Sequence, residues 1–113
     1  MNRLILFAFI WMMGCRSEMP TIPATVIPMD QMVQIMSDIH IVDAVAAEKA
    51  QGGMNEENLT KQYMVQIFKN RGVTAEKFLS SFRFYENHPA LFDKIYGEAL
   101  EEMSRREAKL SKE

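Results

Sequence analysis

From Met29 onward, apolar residues recur every three or four positions in stretches separated by turn-forming residues. That period is helical, and no stretch alternates with period two long enough to make a strand. A first helix is predicted from about Met29 to Gln51, halted by Gly52-Gly53, with Asp30 favourably placed at its start. At 100° per residue, Met32, Ile35, Met36, Ile39, Val42, Ala46 and Ala50 share one face, flanked by Met29 and Ala47. Asn55 suits the cap of a second helix, with Glu56 and Glu57 in its first turn and Leu59, Tyr63, Met64, Ile67 and Phe68 as its apolar set. Arg71-Gly72-Val73 reads as its stop, Gly72 taking the left-handed conformation and Val73 packing back. Thr74 caps a third helix on which Phe78, Leu79, Phe82 and Tyr85 face one way. Pro89 fits the first turn of a fourth, with Leu91, Phe92, Ile95, Tyr96, Ala99 and Met103 as its stripe and Ser104–Glu113 as a charged tail. The expected fold is all-α, a small bundle of three to four helices over residues 29–113.

The start of the chain follows a different pattern. Asn2 and Arg3 precede an unbroken apolar run from Leu4 to Met13. Such a run is too short to span a bilayer core, which takes about 20 residues, and fits the apolar region of a secretory signal. Gly14-Cys15 follows where a cleavage site belongs, so residues 1–14 resemble a bacterial lipoprotein signal peptide with Cys15 as the lipidated residue. Only a thiol can serve there, because its thiolate is the nucleophile that takes the lipid. Met12 and Met13 depart from the Leu and small residue usual in such motifs. An uncleaved anchor helix beside an unmodified Cys15 is the competing reading. Arg16, rather than an Asp, follows the cysteine, which resembles the pattern sorted to the outer membrane, on either its periplasmic or its surface face. Residues 15–28, with Pro20, Pro23 and Pro28, then read as lipidated Cys and extended tether reaching roughly 40 Å.

Composition narrows the options. The chain has 113 residues, 48% of them hydrophobic, which is one small domain and too apolar for disorder. Its one Cys excludes a disulfide framework within the chain and any multi-Cys zinc cluster. The formal charge of −2 lacks the basic surplus that nucleic-acid binding requires. Gly72-Val73-Thr74 between two helices has helix-turn-helix spacing, yet Lys77 and Arg83 on the third helix are balanced by Glu76 and Glu86. No nucleic-acid partner is expected.

Candidate chemistry is sparse. His40 and Asp43 lie three residues apart, about 60° from each other on the wheel and both within the wide apolar arc of the first helix. An Asp there needs a partner. The pair could do acid–base or metal work, or it could form a structural hydrogen bond, with each other or with Tyr63, Tyr85, Tyr96 or Arg83. Asp38 points to nearly the opposite side. Met29, Met32, Met36 and His40 line one side of the helix in a pattern that would suit copper, although a Met stripe at helical spacing is far more often ordinary packing. No third ligand stands at a recognisable spacing, so neither metal nor cofactor is expected, and no small-molecule substrate is evident. Ile41 and Val45 lie off the main stripe, and Phe84 lies opposite Phe78 and Phe82. Exposed, they would mark a patch for a partner; a second layer of helix covering them is the alternative.

The signal-like start, the Pro-containing tether, the run from Met32 to His40, Gly72-Val73-Thr74, Phe82, Tyr85, Pro89 and Ile95-Tyr96 together resemble one family. It is the group of small Bacteroidota lipoproteins known as domain of unknown function 4296. The resemblance implies an envelope lipoprotein with a short helical domain and brings no catalytic residues with it. The expected function is therefore non-enzymatic: a membrane-anchored protein acting through contacts with an unidentified envelope protein, as an accessory subunit of an envelope assembly. The alternative is a metal-handling or hydrolytic envelope protein using His40 and Asp43.

Overall fold

The computed structural model describes residues 19–112. They form four helices, α1 (Met29–Gln51), α2 (Glu56–Arg71), α3 (Ala75–Glu86) and α4 (Pro89–Leu110), with no strand among the described residues. The fold is all-α. The apolar run before Gly14, the expected lipidation site at Cys15 and the first residues of the expected tether lie outside the described residues, within which no helix is long and apolar enough to cross a membrane.

Local chemistry accounts for where the helices begin and end. The Asn55 side chain accepts from the Asn58 N–H at 2.9 Å, and the Thr74 hydroxyl accepts from the Lys77 N–H at 3.1 Å. Pro89 occupies the first turn of α4, where its missing N–H costs nothing. Gly72 closes α2 at φ +67°, and the Val73 N–H then donates to the Phe68 carbonyl at 3.0 Å. Gly72→Ala is expected to lower stability by about 1 kcal/mol, read as a lower urea midpoint with unchanged slope, because an L side chain is strained there.

Helix α1 is the central element and packs against both α2 and α4, while α3 packs against α4. Met32, Val33, Ile35 and Met36 of α1 are buried with Ile67, Phe78, Tyr85, Leu91, Ile95 and Ala99. Met29, Met32 and Met36 thus serve as packing, with the two latter in the core and Met29 packed against it. Aromatic rings link the other three helices: Phe68 lies 5.0 Å from Phe78, Phe78 5.9 Å from Phe82, and Phe82 5.8 Å from Phe92. Helices α1 and α4 meet at Ser37 and Ala99, both fully buried. The Ser37 hydroxyl bonds the Val33 carbonyl at 2.7 Å and reaches the Ala99 carbonyl at 3.3 Å. Small side chains on both sides permit that approach.

Two expectations are corrected. The segment ahead of α1 is not all tether: Val26 and Ile27 belong to the core, and Ile22 packs against it. The Ile27 N–H donates to the Ser81 hydroxyl at 2.9 Å, and its carbonyl accepts from the Tyr85 hydroxyl at 2.5 Å. The backbone there has no helix to satisfy it, so α3 side chains do so. Because Ser81 faces this strap, α3 is turned to bury Phe78, Ser81 and Tyr85, and Leu79 is left 51% exposed instead of facing in. The charged stretch from Ser104, within the expected helical domain, continues α4 as far as Leu110. Ion pairs with Glu102 extend it: Arg105 at 2.7 Å and Arg106 at 2.9 Å.

Candidate functional site

The most organised polar group of the described residues is centred on Asp38, on the face of α1 between α2 and α4. Arg71, the last residue of α2, donates to it through Nε at 2.7 Å and Nη2 at 3.1 Å. Arg106, near the end of α4, donates through Nη1 at 2.7 Å. Its Nη2 bonds the Gln34 amide oxygen at 2.6 Å, and its Nε bonds Glu102 at 2.9 Å. Gln31 adds a further tie, its side-chain amide donating to the Arg71 carbonyl at 3.2 Å. One carboxylate therefore joins three helices.

The electrostatics follow from this geometry. The Asp38 side chain is only 19% exposed, so burial opposes its charge, but hydrogen bonds from Arg71 and Arg106 and their positive charges outweigh that and hold its carboxyl below the usual range. The guanidinium of Arg106 is likewise disfavoured by burial, and its bonds to Asp38 and Glu102 more than compensate, raising its affinity for the proton. Hydrogen bonds from Arg105 and Arg106 lower Glu102. These groups are held in their charged forms. They are poor acids and bases at neutral pH, and their arrangement positions helices and presents charge.

Beside this node an open cleft of about 410 Å³ is lined by Asp38, Ile41, Val42, Ile67, Asn70, Arg71 and Arg106. Ile41 and Arg106 also line a neighbouring recess of about 350 Å³ that Lys109 and Leu110 complete. Ile41 is 38% exposed and Leu110 71% exposed, so the apolar surface here is open to solvent.

The residues singled out from the sequence fall in separate places. Asp43 is exposed on α1 and forms no hydrogen bond with His40. The apolar arc that encloses it on the wheel is wider than the buried stripe, which on this half of α1 narrows to Ala46 with His40, Val42 and Val45 half-buried. His40 packs edge-on against Tyr96, with ring centroids 5.8 Å apart, and its buried Nε2 has no hydrogen-bond partner. No group of three or more His, Cys, Asp or Glu among the described residues is arranged to hold a metal ion. His40→Phe is expected to leave stability unchanged or raise it by up to about 1 kcal/mol in thermal unfolding, since it keeps the ring contact and removes a buried unpaired nitrogen. The three candidate patch residues also separate. Ile41 opens onto the cleft, Val45 is half-buried, and Phe84 packs against the core, 4.3 Å from the His88 ring and 5.4 Å from Tyr85.

The fold and this site define a small all-α domain whose organised polar residues tie helices together beside an open, partly apolar cleft. The chain belongs to the family described as Domain of unknown function (DUF4296), whose model matches residues 23–109. That span includes Val26 and Ile27, in agreement with the strap's place in the core. No curated protein and no solved structure matches the chain.

Proposed function

We propose that the protein is a lipid-anchored envelope protein, non-enzymatic, that acts through contacts with another envelope protein as an accessory subunit. The Bacteroidota origin and the lipoprotein anchor that the family resemblance implies are part of this reading. The observation that carries it is the cleft: aliphatic side chains left open to solvent and edged by cations already held rigid by ion pairs. Preorganised charge around apolar surface is a recognition surface, since it loses little freedom on binding. Cys15, the single thiol of the chain, directly follows the apolar leader and supplies the point of lipid attachment. On this reading, with Val26 and Ile27 in the core and Ile22 packed against it, the link of residues 16–21 spans at most roughly 20 Å and would keep the anchored domain close to the bilayer surface.

Two measurements test the reading. Mass spectrometry of the cellular species is expected to show a chain beginning at an acylated Cys15, and Cys15→Ser is expected to release the protein from membranes. Affinity capture of the tagged, anchored protein from solubilised envelope membranes is expected to recover a reproducible partner. An intact leader with unmodified sulfur in the cytosol, or capture no different from background, overturns the proposal. The unpartnered Nε2 of His40 gives the metal-handling alternative its one point of support, and metal analysis of the purified protein separates the two readings.

A further inference from the structure

The chemistry around the cleft specifies what it can recognise. Its floor is aliphatic, made by Ile41, Val42 and Ile67. Its edges are rich in hydrogen-bond donors. Arg71 uses Nε and Nη2 on Asp38, and among the described residues its Nη1 meets no acceptor. Arg106 uses one N–H on each of its three nitrogens, which leaves one more on each Nη. Lys109 stands at the neighbouring recess, where Leu110 extends the apolar surface. Counting Glu102, which is bonded to Arg106, three cations face two carboxylates here. An occupant that satisfies this surface brings acceptors with negative charge and, next to them, aliphatic groups.

We propose that the cleft docks an extended segment of a protein partner in which a carboxylate side chain is flanked by aliphatic residues. The carboxylate takes the spare N–H groups of Arg71 and Arg106, and the flanking side chains cover Ile41 and Leu110. A free inorganic anion gains nothing from the floor. An acyl chain needs an enclosed channel, whereas this cleft and its neighbouring recess lie open to solvent. A chain segment laid across the surface uses both features. This inference rests on the proposed mode of action through protein contacts and names the chemistry of the partner.

The test uses the purified full chain and fluorescein-labelled octapeptides centred on Ile-Glu-Ile, Ile-Gln-Ile or Ser-Glu-Ser, followed by fluorescence anisotropy. The Ile-Glu-Ile peptide is expected to bind, and the other two to bind at least about tenfold more weakly, since each lacks one half of the match. Ile41→Glu and Lys109→Glu alter exposed side chains outside the Asp38 ion pairs, and are expected to weaken binding by a similar factor with unchanged thermal unfolding. No binding by any peptide, equal binding by all three, or undiminished binding to Ile41→Glu overturns the inference. So does saturation by laurate with no response to peptide, or self-association in light scattering that Ile41→Glu abolishes, which would make a second copy the occupant. Capture of the same membrane partner by wild type and Ile41→Glu removes this docking site while leaving the broader function standing. Peptide binding with no captured partner does the reverse.

Discussion

Asp38→Ala is expected to lower the free energy of unfolding by about 3 kcal/mol in a urea titration at neutral pH, the size associated with breaking a largely buried ion pair from one side. The loss is more than that of two attractions. Removing the carboxylate leaves the guanidinium groups of Arg71 and Arg106, each about one-third exposed or less, facing one another without the anion that separates them. The variant also frees the end of α4, which reaches α1 through Arg106. Asp38→Asn keeps the shape and part of the hydrogen bonding and is expected to cost less. Its comparison with wild type isolates the pH dependence. The native carboxyl titrates below its ordinary value, so its contribution is fully present above the unfolded-state value of about 3.9 and is lost as pH falls through the lower native one. The stability difference between wild type and Asp38→Asn is therefore expected to be flat from neutrality down to about pH 5 and to shrink below it. A difference independent of pH in the acid range would show that the carboxylate is not ion-paired in solution.

Ile27→Ala is expected to cost a similar amount, about 3 kcal/mol, as truncation of a fully buried aliphatic side chain does. If the preceding segment were only a tether, the same change would be silent. Two companions localise the effect. Tyr85→Phe removes the donor to the Ile27 carbonyl and is expected to cost about 1–2 kcal/mol. Its effect should also depend on pH. Burial, with the nearby negative charge of Asp30, raises the Tyr85 hydroxyl above the usual phenol value. The stabilisation that goes with this shift is complete below about pH 10 and is lost as pH climbs through the raised native value, a loss Tyr85→Phe does not share. In a second comparison, a chain beginning at Ile22 is expected to unfold cooperatively in urea, and one beginning at Met29 to show a weak, broadened transition.

What could be read from the sequence, and what could not, divides along a physical line. The helix limits were legible because local groups set them: Asn55 and Thr74 as caps, Gly72 as a left-handed stop, Pro89 in a first turn. So was most of the buried stripe of α1, since period alone places Met32, Ile35 and Met36 together. The strap was not legible. Three prolines over residues 20–28 favour extended backbone whether or not it is packed, and only the distant hydroxyls of Ser81 and Tyr85 decide that Ile27 is inside. The ion-pair node escaped for the same reason. Asp38 looks like an ordinary outward-facing carboxylate on the wheel, and its partners lie 33 and 68 residues away. His40 and Asp43 are both polar residues within an apolar arc, but α4 covers only His40, through Tyr96, and leaves Asp43 exposed. A signal existed all the same: Arg71 at the stop of α2 and Arg106 in a charged stretch are both cations needing an acid on a facing helix.

The separation of these partners along the chain bears on how the protein is made. A ribosome delivers Ile27 and the whole of α1 long before Ser81, Ala99 or Arg106 exist, so during synthesis the central helix has one neighbour at most. The part of its Met and Ile face that α4 covers stays bare until Leu91, Ile95 and Ala99 have emerged. A polypeptide interrupted before Leu91 lacks Arg106 as well, and the abandoned product offers chaperones and proteases the apolar stripe that a finished one conceals.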